Sequence, residues 1–147
     1  MSRKKHWRML NSLRFVVLGF ALWSITTAES SSAKTTWDGV YSTDQATRGQ
    51  EAYGKSCSGC HKPDLTGNWG PALVGEPFLM SWNNRTVDDL STTIRQTMPQ
   101  NEPDSLDAQT YLDIVAFLLR ANNFPAGAEL LRDHDSLKEI TITRTKP

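Results

Sequence analysis

Cys57-Ser58-Gly59-Cys60-His61 is the stretch on which the reading of this chain turns, and it contains the only two cysteines in 147 residues. Two thiols three positions apart can add to the two vinyl groups on one edge of a haem, and the histidine that follows can bring an imidazole under the iron. The spacing therefore points to one covalently attached haem c, with His61 as an axial ligand, and to electron transfer. Three other uses of a C-x-x-C pair compete: half of a zinc site, a thioredoxin-like dithiol and a structural disulfide. Structural zinc takes four protein ligands, and beyond the pentapeptide there are only His6 and His134, with no second cysteine pair. A redox dithiol sits near a βαβ pattern, and none is visible.

Residues 1–28 have the layout of a secretory signal peptide. Arg3, Lys4, Lys5, Arg8 and Arg14 make a basic start, and Phe15 to Ile25 is an uncharged apolar run of eleven residues. That run suits a signal h-region and is short of the roughly twenty residues that span a bilayer. Ala28 with Thr26, or Ala33 with Ser31, fits the small-x-small cleavage preference. An uncleaved anchor is the alternative, at the cost of burying Arg14. The periplasm is the expected location, and membrane contact is expected only if the segment is retained.

Sixteen basic and sixteen acidic residues give a formal charge of zero, but five of the bases precede residue 28 and every acid follows it. Eleven bases against sixteen acids leave the mature chain at −5. That balance argues against nucleic acid and anionic membranes as partners and favours basic or neutral protein surfaces. The mature chain of about 119 residues is one domain. Residues 29–40 read as a flexible lead-in, 41–125 as the folded domain and 126–147 as a tail. A core of this size needs help burying apolar surface, which a haem would supply.

Helical signals dominate, and the expectation is an all-α fold of three main helices. Ser42-Thr43-Asp44-Gln45 is a capping-box pattern that opens a helix to about Ser56, with Ala46, Gly49 and Tyr53 on one face. Lys62 to Phe78 is too dense in Pro and Gly for regular structure, so it reads as a functional loop around one edge of the cofactor. Thr86 caps a second helix with a Val87, Leu90, Ile94 stripe, which stops before Met98-Pro99. The third runs from about Asp107 to Ala121 on Tyr111, Leu112, Ile114, Val115, Leu118 and Leu119, with Phe117 partly off the stripe. Ile140 to Thr143 is a short strand or nothing.

A second axial ligand has three mature-chain candidates: Met80, Met98 and His134. Met98 lies in Gln96-Thr97-Met98-Pro99-Gln100, where packing alone hardly explains a methionine and Pro99 stiffens the backbone. Met80 has apolar neighbours and reads as core filler, and His134 sits in a charged run that reads as surface. Met98 is therefore the expected ligand. His/Met ligation raises the reduction potential, which suits a carrier in an oxidative chain.

Together these residues resemble the class I c-type cytochromes, in particular small bacterial periplasmic monohaem proteins that serve quinoprotein dehydrogenases. The resemblance spans about Tyr41 to Leu130. It rests on Gln45-Ala46-x-x-Gly49-x-x-x-Tyr53, the pentapeptide, Gly70-Pro71-Ala72-Leu73, Met98-Pro99 and Tyr111 to Leu118. It implies the cytochrome c fold wrapped around one haem. It also implies that the Pro71 carbonyl accepts from His61 Nδ1, that Gly49 meets Phe117 at a helix crossing, and that Trp82 and Arg85 approach the haem propionates.

The function expected is a periplasmic one-electron carrier, not an enzyme, with a periplasmic dehydrogenase as donor and a terminal oxidase or another cytochrome as acceptor. The alternative is a haem-c subunit of a periplasmic dehydrogenase complex. An open-iron sensor or peroxidase is a third reading, and non-haem thiol chemistry a fourth. No nucleophile–base pair or phosphate loop is visible.

Overall fold

A computed structural model describes residues 33–147. The expected signal segment and the start of the lead-in lie outside the described residues. Three main helices carry the fold, as expected: α1 (Thr43–Ser56), α4 (Val87–Thr97) and α5 (Ala108–Ala121). Three short ones accompany them: α2 (Ser58–His61), α3 (Glu76–Trp82) and α6 (His134–Lys138).

Side-chain caps start the long helices where the sequence places them. Ser42 Oγ accepts from the Gln45 N–H at 3.1 Å, Thr86 Oγ1 from Asp89 N–H at 3.0 Å, and Asp107 Oδ1 from Thr110 N–H at 2.9 Å. The Thr86 box is complete, because Asp89 Oδ2 accepts in return from the Thr86 N–H at 3.0 Å. The Ser42 box is only half made. Gln45 does not reach back; its buried amide donates to the Leu131 carbonyl at 2.8 Å and accepts from the Leu131 N–H at 3.0 Å. Those backbone groups are buried, so leaving them unpaired would cost more than an open cap beside water.

The expected loop from Lys62 to Phe78 ends early. Pro77 falls in the first turn of α3, where its missing N–H has no intrahelical partner to lose, so it starts a helix instead of breaking one.

α1 and α5 pack across the core at Gly49. A Cβ there would collide with the Asp113 carbonyl and the Ile114 nitrogen, so only glycine permits this approach. The resemblance put Phe117 opposite Gly49. The nearest neighbour is instead the α5 backbone, and Phe117 packs on Tyr53, ring centroids 5.1 Å apart. Asp113 is buried at the same crossing. Its carboxylate accepts a forked pair from Arg48, at 2.7 and 2.9 Å, and a third bond from Gln109 at 2.8 Å. Every residue from Tyr111 to Leu119 is buried, wider than a single stripe, because α1 and α4 both pack on α5.

Both ends differ from expectation. Lys34 to Val40, read as flexible, forms β1 (Lys34–Thr35) and a 3-10 turn (Thr36–Asp38) capped by Thr35, with Thr36 and Val40 buried. The tail forms α6 and then β2 (Ile140–Thr141), which pairs parallel with β1, Lys34 opposite Ile140. Leu131, Leu137, Ile140 and Ile142 are all buried. Their spacing follows no single period, so only the surface they meet could reveal their burial. Among the described residues no helix is long and apolar enough to cross a membrane.

Gly49→Ala is expected to force the two helices apart and lower the thermal midpoint by about 5–20 °C, from an overpacking cost of about 1–3 kcal/mol. Gly54, on the same helix, has open space around its Cβ position, and Gly54→Ala should hold or raise the midpoint. Calorimetry of the two variants checks the pair; equal behaviour would contradict the crossing.

Candidate functional site

α1 ends at the pentapeptide. The Cys57 N–H donates to the Tyr53 carbonyl at 2.9 Å, and the chain turns at once into α2, closed by the His61 N–H on the Cys57 carbonyl at 3.0 Å. One tight turn thus carries both thiols and the imidazole. Both cysteines are free, Cys60 exposed and Cys57 partly covered. Burial, with a smaller contribution from Cys60, pushes the Cys57 thiol up to about 11. It therefore stays protonated at neutral pH.

The loop after His61 is built around its ring. Backbone N–H groups of Gly67, Asn68 and Gly70 donate to the His61 and Cys60 carbonyls at 3.0–3.2 Å. Tyr53 anchors the start of the loop, its hydroxyl donating to the Lys62 carbonyl at 2.7 Å. Burial raises that hydroxyl to about 12, so it remains a donor. Gly70 lies against the imidazole: a Cβ there would sit 2.5–2.8 Å from three ring atoms. Pro71 follows, with its carbonyl 2.8 Å from His61 Nδ1. A carbonyl can only accept, so Nδ1 carries the proton and the free lone pair is on Nε2. His61 is buried in that state.

Cys57, Cys60, His61 and Pro71 line one side of a cleft of about 330 Å³. Ser81 and Trp82 of α3, Leu90, Thr93, Ile94 and Thr97 of α4, and Ile114 and Leu118 of α5 complete most of the wall, with Met98 and Pro99 at the end of α4. Met98 is held by its backbone. Its N–H donates to the Ile94 carbonyl at 2.8 Å and its carbonyl accepts from the Tyr111 hydroxyl at 2.9 Å. Among the described residues no charged side chain lines the cleft.

Six of the seven residues singled out from sequence thus meet around one cavity: Cys57, Cys60, His61, Pro71, Trp82 and Met98. Arg85 does not line it. Its guanidinium stacks 4.6 Å over the Trp82 ring and faces Asp89 at 3.8 Å, one layer behind the wall. Met80, read as core filler, is 76% exposed, because α3 turns that face outward. His134 is remote from the cleft and pairs with Asp88 at the start of α4. Gly70, Tyr111 and Trp69 were not given roles from sequence. Tyr111 looked like one more apolar stripe residue, and its hydroxyl partner lies thirteen residues away. Trp69 lines the cleft while 88% exposed, inside the loop that the sequence marked as functional.

The wall fits a flat apolar macrocycle fastened by two sulfurs. It offers two free thiols on one turn, an imidazole with Nε2 available, a glycine that keeps the space beside that ring clear, and an uncharged lining. Among the described residues no three His, Cys, Asp or Glu side chains cluster as a site for a bare metal ion.

Residues 44–118 match the family model described as "Cytochrome C oxidase, cbb3-type, subunit III". No curated protein matches the sequence. Among solved structures, the fold is similar to a chain in the crystal structure of the sulfane dehydrogenase SoxCD from Paracoccus pantotrophus, at a TM-score of 0.53 and 18% identity. The match covers 71% of this chain and 61% of that one.

Gly70→Ala should tilt the imidazole and break its bond to Pro71. Exchange of the His61 Nδ1 proton, followed by NMR, is expected to quicken by about tenfold, the value of one lost hydrogen bond. An unchanged rate would show that Gly70 does not set the ring.

Proposed function

Because the chain belongs to the cbb3-type subunit III family of class I c-type cytochromes, we propose that it is a periplasmic one-electron carrier with a single His/Met-ligated haem c. The observation that carries this reading is the convergence of two free thiols, a pinned imidazole and Met98 on one uncharged cleft. Haem c, when bound, supplies an iron that cycles between ferric and ferrous, one electron at a time.

The residues divide the remaining work. Cys57 and Cys60 would hold the macrocycle as thioethers, each S–H adding across one vinyl C=C so that the sulfur bonds one vinyl carbon and the hydrogen goes to the other. His61 Nε2 would donate to the iron, and the Nδ1 bond to Pro71 would fix the ring and strengthen donation. Met98 would offer its sulfur as the second donor, its backbone held by Ile94 and Tyr111. Leu90, Ile94, Ile114 and Leu118 give the cleft an apolar lining that would exclude water from a bound haem and, with a Met ligand, would favour a high potential. Trp82 lines the cleft and would approach the propionates, with the Arg85 guanidinium stacked on its ring. Redox partner proteins complete the cycle, with a periplasmic dehydrogenase as donor and a terminal oxidase or another cytochrome as acceptor. The −5 charge of residues 29–147 steers it to basic or neutral surfaces.

A second reading, a haem-c subunit inside a dehydrogenase complex, draws on the fold shared with a chain of the sulfane dehydrogenase structure. Size-exclusion of the natively isolated protein separates the two: co-elution with a larger partner favours the subunit, and a lone small species favours the carrier.

Met98→Ala is expected to abolish the weak absorption at the red edge of the oxidised spectrum that reports iron–sulfur bonding. Met80→Ala should leave it intact. Haem staining on a denaturing gel should survive both changes and disappear when Cys57 and Cys60 are both replaced by Ala. Red-edge absorption that persists without Met98 would rule out that ligand.

A further inference from the structure

The segment after Pro125 lies largely outside the cytochrome resemblance, yet it is bound to the part of the cleft wall that is least supported elsewhere. Among the described residues α3 packs extensively on no other helix and is seated in the core through Phe78. The turn that joins it to α4, Asn83 to Thr86, finds its partners in the tail. Ile142 uses both backbone groups on this turn: its N–H donates to the Arg85 carbonyl and its carbonyl accepts from the Asn84 N–H, each at 2.8 Å. Thr86 and Thr141 form an antiparallel bridge beside them, and the Arg144 N–H donates to Asn83 Oδ1 at 2.8 Å. The Ile142 side chain is fully buried.

The Arg144 guanidinium then crosses to the other end of α3. It meets both oxygens of Glu76 in a fork, at 2.5 and 2.8 Å, and holds that carboxyl below its usual range. The tail is itself tied to the body of the protein. Gln45 of α1 clamps Leu131, β2 pairs with β1, and the Trp37 indole donates to the Thr143 carbonyl at 2.9 Å. α3 is thus gripped at its first residue and just past its last by one strand of chain anchored on α1 and β1. Trp82, on the cleft, sits between those two grips, and the same turn leads into α4, whose end carries Met98.

We propose that the C-terminal segment positions the α3–α4 wall of the cleft through Ile142 and the Arg144–Glu76 pair, and so keeps the Met98 sulfur at the iron, which rests on the ligand assignment above. Arg144 and Glu76 touch neither cofactor nor cleft; they are positioning residues. A loosened wall leaves the helices folded but lets Met98 yield more readily to a competing ligand.

Imidazole, which displaces a methionine sulfur from ferric haem, is the probe. Titration of the oxidised holoprotein should show about three- to fivefold tighter imidazole binding in Arg144→Gln and in Glu76→Gln, the scale of one well-formed surface pair. The doubly reversed protein, Glu76→Arg with Arg144→Glu, should return towards the wild-type affinity, which a general loss of stability would not do. Thermal midpoints of all three should stay close to wild type. Wild-type imidazole affinity in both single variants overturns the positioning role, as does a folded reversed protein that fails to recover. If Met98→Ala keeps its red-edge absorption, the ligand assignment falls and takes this role with it. If that absorption is lost while the Gln variants bind imidazole normally, only the positioning role falls.

Discussion

The contact of α1 with α5 at Gly49 is the constraint on which the rest of the domain hangs. Because a bare Cα faces the Asp113 carbonyl, the two backbones come within reach of each other, and Tyr53 is carried onto Phe117. Close packing of this kind has little slack, so it fixes direction as well as distance. α1 then delivers the cysteine turn to one side of the core, while the same stretch of α5 presents Ile114 and Leu118 as the floor of the cleft. The Arg48–Asp113 fork at this crossing leaves no buried carboxylate oxygen without a donor.

The site that results is organised by backbone more than by side chains. His61 takes its orientation from a proline carbonyl and a glycine, and Met98 takes its place from Ile94 and Tyr111. Residues 29–147 carry a net charge of −5, yet among the described residues no charged side chain lines the cavity. The effect is a low local dielectric around any group held there, with most of the acids at the surface to act over longer range.

The outer layer answers a different problem. A domain of this size has a limited core, and α3 in particular has little helix to lean on. Residues 34–39 and the segment from Leu131 onward pack beside the main helices, meeting in β1 and β2 and filling the gap beside α4 with Leu137, Ile140 and Ile142. Gly127 passes so near Gly39 that a Cβ at Gly127 would collide with the Gly39 carbonyl. The two ends thus act as one layer across the domain.

The sequence by itself determined the main helices and marked the cysteine turn as the candidate site. Cys57, Cys60 and His61 stand out because theirs is the spacing of a haem c attachment motif, and caps such as Ser42, Thr86 and Asp107 stand out because they act on neighbours three residues away. Met98 stood out because nothing local explained it. Tertiary structure alone decided where Gln45 directs its amide, that the Tyr111 hydroxyl braces the Met98 carbonyl, that the Trp37 indole reaches Thr143, and that Thr36, Val40, Leu131, Leu137, Ile140 and Ile142 are buried. The reason is range. Periodicity and capping are governed by contacts within a turn or two, whereas these pairings join residues up to 106 positions apart and exist only once distant surfaces have met.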